Sequence, residues 1–211
     1  LADILMQQGQ AEQALAVYDR LGRLLLERGR LDEAERLYRH ALEQNPPTGV
    51  FLQPLCEALL EAGRAPVARE FLAAALERSP DDESLQVLRI RVSLTFGEAR
   101  QALDSARQLL DRAPENHDIR MLVGQALLKA GEAVEARDML LPTARSLTDR
   151  GNHVAAQQMV QGLLKAMPQD QQVLRVAVAA FATSGETEMI FTLRAALADS
   201  LYRSGQQSEA T

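Results

Sequence analysis

Apolar and small residues recur along this chain at the three- and four-residue intervals of a helix face, and the runs are cut by glycine. Ahead of Gly29 stand Tyr18, Leu21, Gly22 and Leu25, and after it Ala34, Tyr38 and Ala41. Gly63 is flanked in the same way by Leu52, Leu55, Cys56 and Leu59, then Ala68, Leu72 and Ala75. Gly151 follows Leu140, Thr143, Ala144 and Leu147 and precedes Ala156, Val160 and Leu163. Such spacings place each set on one side of a helix, so each glycine separates two amphipathic helices of a hairpin. Aromatics make up 4% of the residues and Trp is absent, whereas Leu, Ala, Gln, Glu and Arg abound. That mix favours helix over sheet, and the fold class is all-α.

The pattern has a period. Gly29, Gly63, Gly97 and Gly131 are each 34 residues apart, as are Gly151 and Gly185, and Pro46, Pro80 and Pro114 mark the same interval. Glycine accepts the left-handed backbone that ends a helix. Gly22, Ala34, Cys56, Ala68 and Gly124 are small, as needed where two helix axes cross about 8–10 Å apart. Tyr18, Tyr38, Leu52 and Leu72 fill the space between hairpins, while Pro46, Pro80, Pro114 and Pro168 stop the second helices for want of an N–H.

The turn glycine, the small crossing residues and the closing proline coincide in several copies, and in this the chain resembles the tetratricopeptide repeat (TPR). The resemblance covers essentially residues 1–210 and implies a right-handed α-solenoid of stacked antiparallel hairpins, about 12 helices in all. It also implies one superhelical array over residues 1–211, with turn glycines Gly9, Gly29, Gly63, Gly97, Gly131, Gly151, Gly185 and Gly205. Its concave groove would be lined by the first helix of each hairpin.

The period is not perfect. Before Gly97, Leu85, Leu88 and Val92 lie one residue early and Arg89 takes the small site, which predicts a shorter turn or a rotated helix. After Gly185, Ile190 and Arg194 replace the usual small and large apolar residues. Gly9 to Gly29, Gly131 to Gly151 and Gly185 to Gly205 are only 20 residues apart, which leaves room for one helix rather than two. The helix in each gap must end one hairpin and begin the next, giving irregular three-helix units. Pro142 falls inside one such helix and is expected to kink or split it.

A formal charge of −6, with Arg28 and Arg30 interleaved among Asp32, Glu33 and Glu35, argues against nucleic acid or an anionic membrane surface as partner. Insertion into a membrane is not expected, since no stretch approaches the ~18 continuous apolar residues of a span. The cytoplasm is the expected compartment, and the periplasm stays open because the sequence begins at Leu1 without Met, as if trimmed. Cys56 is the only cysteine and sits at a crossing site, while His40, His117 and His153 lack a second ligand at i+4, so no metal is expected. Asp81, Asp82 and Glu83 open a helix, where negative charge is favoured. No nucleotide-binding or zinc-protease motif occurs, so neither a cofactor nor a catalytic residue is expected and the chain reads as a non-enzyme.

The expected function is that of a scaffold or adaptor holding a protein or peptide in the groove. Counting back from the turn glycines places Asp19, Arg23, Glu27, Gln53, Glu57, Glu61, Met121, Gln125, Lys129, Leu141, Arg145, Asp149, Arg175 and Thr183 there. The residues singled out for partner binding are Arg23, Gln53, Glu57, Gln125, Lys129, Arg145 and Arg175. The lining carries both charge signs and does not match the cationic clamp with which some TPR proteins hold a C-terminal carboxylate, so an extended or helical segment of mixed charge is expected. Two alternatives stay open: homo-oligomerisation through the array ends, and the non-catalytic regulatory region of a larger enzyme. Lys129 and Lys165 are the only lysines, and the arginine bias hints at a bacterial source. Bacterial proteins resembling this one work in the assembly of pili, secretion systems or envelope polysaccharide machinery.

Overall fold

The computed structural model describes residues 1–44, 49–182 and 187–204. Pro46, Thr183, Gly185, Gly205 and the turns expected at them lie outside the described residues. The described chain is helical and divides into two compact units, residues 1–105 and 106–211, with the boundary inside one helix. The first unit holds α1 (Ala2–Gln7), α2 (Ala11–Glu27), α3 (Leu31–Gln44), α4 (Gly49–Glu61), α5 (Ala65–Arg78), α6 (Glu83–Thr95) and the start of α7 (Ala99–Arg112). The second holds the rest of α7, then α8 (His117–Ala130), α9 (Ala133–Asp149), α10 (His153–Ala166), α11 (Gln171–Phe181) and α12 (Thr187–Arg203).

The turn chemistry read from the sequence is present. Gly9, Gly29, Gly63, Gly97, Gly131 and Gly151 adopt φ between 68 and 85°, a region closed to most side chains. Each closes its helix in the same way. At Gly63, its own N–H donates to Leu60 O at 3.0 Å and that of Arg64 to Leu59 O at 2.7 Å, satisfying two carbonyls that the helix end would orphan. The closing prolines also behave as expected: α5, α7 and α10 end two residues before Pro80, Pro114 and Pro168.

In the first unit, α2, α4 and α6 pack side by side, with α3 and α5 packed against them. In the second, α9 packs on α11 and α8 on α10, so these four helices form two layers. Two of the three 17-residue helices, those in the first two short gaps, do the double duty expected: α2 packs on both α1 and α3, and α9 on both α8 and α10, while α12 packs on α11. Pro142 does not split α9, which runs unbroken from Ala133 to Asp149. A proline within a helix removes one N–H bond, and packing on three neighbouring helices holds α9 intact.

The crossing sites are tight. Ala34, Cys56 and Ala68 are fully buried, and a Cβ on Gly22 or Gly124 would lie 2.6 Å from Tyr38 or 2.5 Å from Leu140. Two expectations need correction. Gly97 follows α6 by the same two residues that separate Gly63 from α4, so its turn is not shorter. Nor does Arg89 take the small site: it is exposed, and the buried residue seven before Gly97 is Ile90. In α12 the packing stripe is displaced. Ile190 is half-buried and Arg194 exposed, while Leu193 and Leu201 are buried.

Ion pairs tie alternate helices together: Arg39 to Glu70 and Arg69 to Glu98 in the first unit, Arg107 to Glu135 and Arg137 to Asp170 in the second. Most are exposed and contribute little, but Asp170 is better placed. It caps α11 by accepting from the Val173 N–H at 3.0 Å and also accepts from Arg137 Nη1 at 2.9 Å. Burial pushes its carboxyl up, but these donors hold it below the usual carboxylate range overall. Replacing Asp170 by Ala is expected to cost about 1 kcal/mol, the usual worth of an N-cap. A depressed folded-state value stabilises above the unfolded value near about pH 4 and loses that effect as pH falls through the folded one. Thermal melts of the two proteins should therefore differ at neutral pH and converge in acid.

Candidate functional site

Most of the described first-helix positions expected to form a binding face are solvent-exposed, while Asp19 and Met121 are half-buried. Arg23, Gln53, Glu57, Gln125, Lys129, Arg145 and Arg175 all keep their side chains outside the core. Their neighbours one step round each helix, Gly22, Leu52, Cys56, Ala126 and Ala144, are buried. That contrast is what the 3.6-residue helix period requires of an element with one packed and one open side. Leu141 does not share the expected exposure: it is 3% exposed and belongs to the packing of the second unit.

In the first unit α2 and α4 bring three of these residues together. Arg23 Nε lies 2.9 Å from Asp19 Oδ2, and Gln53 Nε2 donates to Glu57 Oε1 at 2.8 Å, each pair one helical turn apart. Bonding to Asp19 raises the proton affinity of the Arg23 guanidinium, and the charge of Glu57 on the neighbouring helix adds to it. Beneath them Tyr38 is fully buried against Phe51, ring centres 4.8 Å apart. Its hydroxyl has no hydrogen-bond partner among the described residues. Burial, with the charge of Asp19, pushes the phenol well above its ordinary range. Cys56 is likewise sealed in the core, and burial pushes its thiol up to about 12. It is a packing residue, since the reactive form of cysteine is the thiolate.

In the second unit Arg145 on α9 and Arg175 on α11 line one notch of about 270 Å³ with Thr148, Asp149, Val176 and Ala179. Gln125 and Lys129 do not line it. They sit on α8, in the other layer of the unit. Sequence reasoning missed Thr148, Val176 and Ala179, and also Arg91, an exposed α6 residue 34 beyond Glu57. The signal for Arg91 was the period itself, masked by the displaced apolar stripe of α6.

His117 and His153 are the first residues of α8 and α10, and His40 bonds Asp3 at 2.8 Å. Among the described residues no three His, Cys, Asp or Glu side chains gather as a metal site. No described helix is long and apolar enough to cross a membrane.

Comparisons with known proteins agree with this architecture. No curated protein matches the sequence. Among solved structures, PilF of Pseudomonas aeruginosa is similar at 16% identity and a TM-score of 0.52, covering 94% of this chain and 97% of that one. A tetratricopeptide repeat protein from Parabacteroides merdae is similar at 16% identity and a TM-score of 0.50, covering 94% and 89%. At such identity these likenesses show the fold. Three family models, each described as tetratricopeptide repeat, match residues 1–20, 25–89 and 88–141. With the turn glycines, the crossing residues and the paired layers in place, the chain belongs to the tetratricopeptide-repeat proteins.

Proposed function

We propose that the chain is a protein-interaction scaffold rather than an enzyme. Residues 1–211 act as one array holding an extended or helical segment of a partner protein on exposed first-helix faces. The observation that carries this reading is the clustering of Arg23, Gln53 and Glu57, exposed polar residues on adjacent helices above a fully packed core. Rigid helices that present side chains at fixed spacing can bind a segment without reorganising, which is the use solenoids make of their extended surfaces.

The test is a pull-down from lysate of the source organism, comparing the native chain with Gln53→Trp/Glu57→Lys and, as control, Glu77→Lys on α5 in the other layer. A co-purifying protein that falls at least about 10-fold with the double variant alone, a loss worth about 1.4 kcal/mol, supports the reading. Equal recovery with all three places binding elsewhere. A self-associated species with no partner favours a homo-oligomeric array.

A further inference from the structure

The notch on the second unit has a shape and a charge that select a ligand. Counting six residues back from a glycine in the sequence gives Arg23, Glu57, Arg91, Gln125, Arg145 and Ala179. The first five of these carry long polar side chains and Ala179 only a methyl group, which leaves the notch unfilled. Arg145 and Arg175 flank the space, Val176 and Ala179 add apolar surface, and Asp149 is the single acidic group on the lining. At about 270 Å³ it falls below the usual volume of a small-molecule pocket and suits one side chain of a partner. The lining thus carries two guanidiniums and one carboxylate. Arginine forks bond carboxylates in paired, charge-assisted fashion.

We infer that this notch receives an aspartate or glutamate side chain of the bound segment, its methylenes on Val176 and Ala179 and its carboxylate between Arg145 and Arg175. This rests on the scaffold reading above and adds to it the chemistry of one partner residue.

The experiment pans a library of random 12-residue peptides on the immobilised chain and measures selected peptides by fluorescence anisotropy. The expected result is a shared Asp or Glu whose amide replacement weakens binding at least about 10-fold. Arg145→Glu and Ala179→Leu should do the same, the first by reversing the charge and the second by filling the notch, with circular dichroism unchanged. Arg145→Glu should in turn favour the peptide carrying Lys at that position. Selected peptides that share no acid, or that bind both variants as they bind the native chain, overturn the inference. If Gln53→Trp weakens those same peptides, the scaffold reading survives that result. A library that yields no binder at all sinks both.

Discussion

Replacing Tyr38 by alanine is expected to destabilise the first unit by about 3–5 kcal/mol, the range for emptying a buried aromatic site, whereas Tyr38→Phe costs nothing or stabilises slightly. Tyr38 is fully buried on α3, with its ring against Phe51 of α4 and over Gly22 of α2. It therefore bridges the hairpin α2–α3 to the helix that begins the next one. Alanine would leave a void beside Gly22, which has no side chain to fill it. The hydroxyl behaves differently. A buried polar group without a partner carries its desolvation cost uncompensated, and this one has no partner among the described residues. Chemical denaturation of the three proteins decides the matter. If Tyr38→Phe loses as much as Tyr38→Ala, the hydroxyl is bonded and the cavity argument fails.

Gly49→Val should be nearly as damaging, although Gly49 adopts no left-handed conformation. It opens α4 where that helix meets the first turn of α6, and a Cβ there would lie 2.2 Å from the Ser84 carbonyl carbon and 2.4 Å from the Leu85 nitrogen. Those atoms are backbone and cannot swing aside as a side chain would, so α4 and α6 must separate. Overpacking commonly costs about 1–3 kcal/mol, and this case belongs at the upper end. Gly22→Ala is the useful comparison, since its obstacle is the edge of the Tyr38 ring. Thermal melts should show Gly49→Val below Gly22→Ala, and the reverse order would mean that the two helices are not in backbone contact.

Much of this architecture could be read from residue spacing, and the reasons for the failures are physical. A left-handed turn admits little but glycine, so Gly29, Gly63 and Gly97 declare themselves. A helix crossing admits only small residues, so Ala34, Cys56 and Ala68 do too. Arg89 was given the site that Ile90 fills because a helix can turn its packed stripe by part of a residue's rotation and still end at the same glycine. α12 does this as well, burying Leu193 and exposing Arg194. The notch was invisible for another reason. Counting from turn glycines locates residues that project into a groove but not the space left where one is too short to project, and Ala179 matters through what it lacks. Leu141 was assigned to the open face by the same count, yet on a helix that packs on α8, α10 and α11 little of the surface remains free.

The shared helix α9 makes the layer of each later helix a question of odd and even. Where every hairpin has two helices of its own, adding or losing a whole repeat leaves all later helices in their former layers. Here Gly131 and Gly151 enclose a single helix, so a count that makes α8 the first of its hairpin also makes α9 the first of the next. In space α8 falls in with α10, and α9 with α11. A gain or loss of one helix at such a joint would move every later helix into the opposite layer while leaving each turn, cap and crossing locally unchanged. Two arrays could thus share nearly every sequence signal of the repeat and yet present opposite surfaces to the same partner.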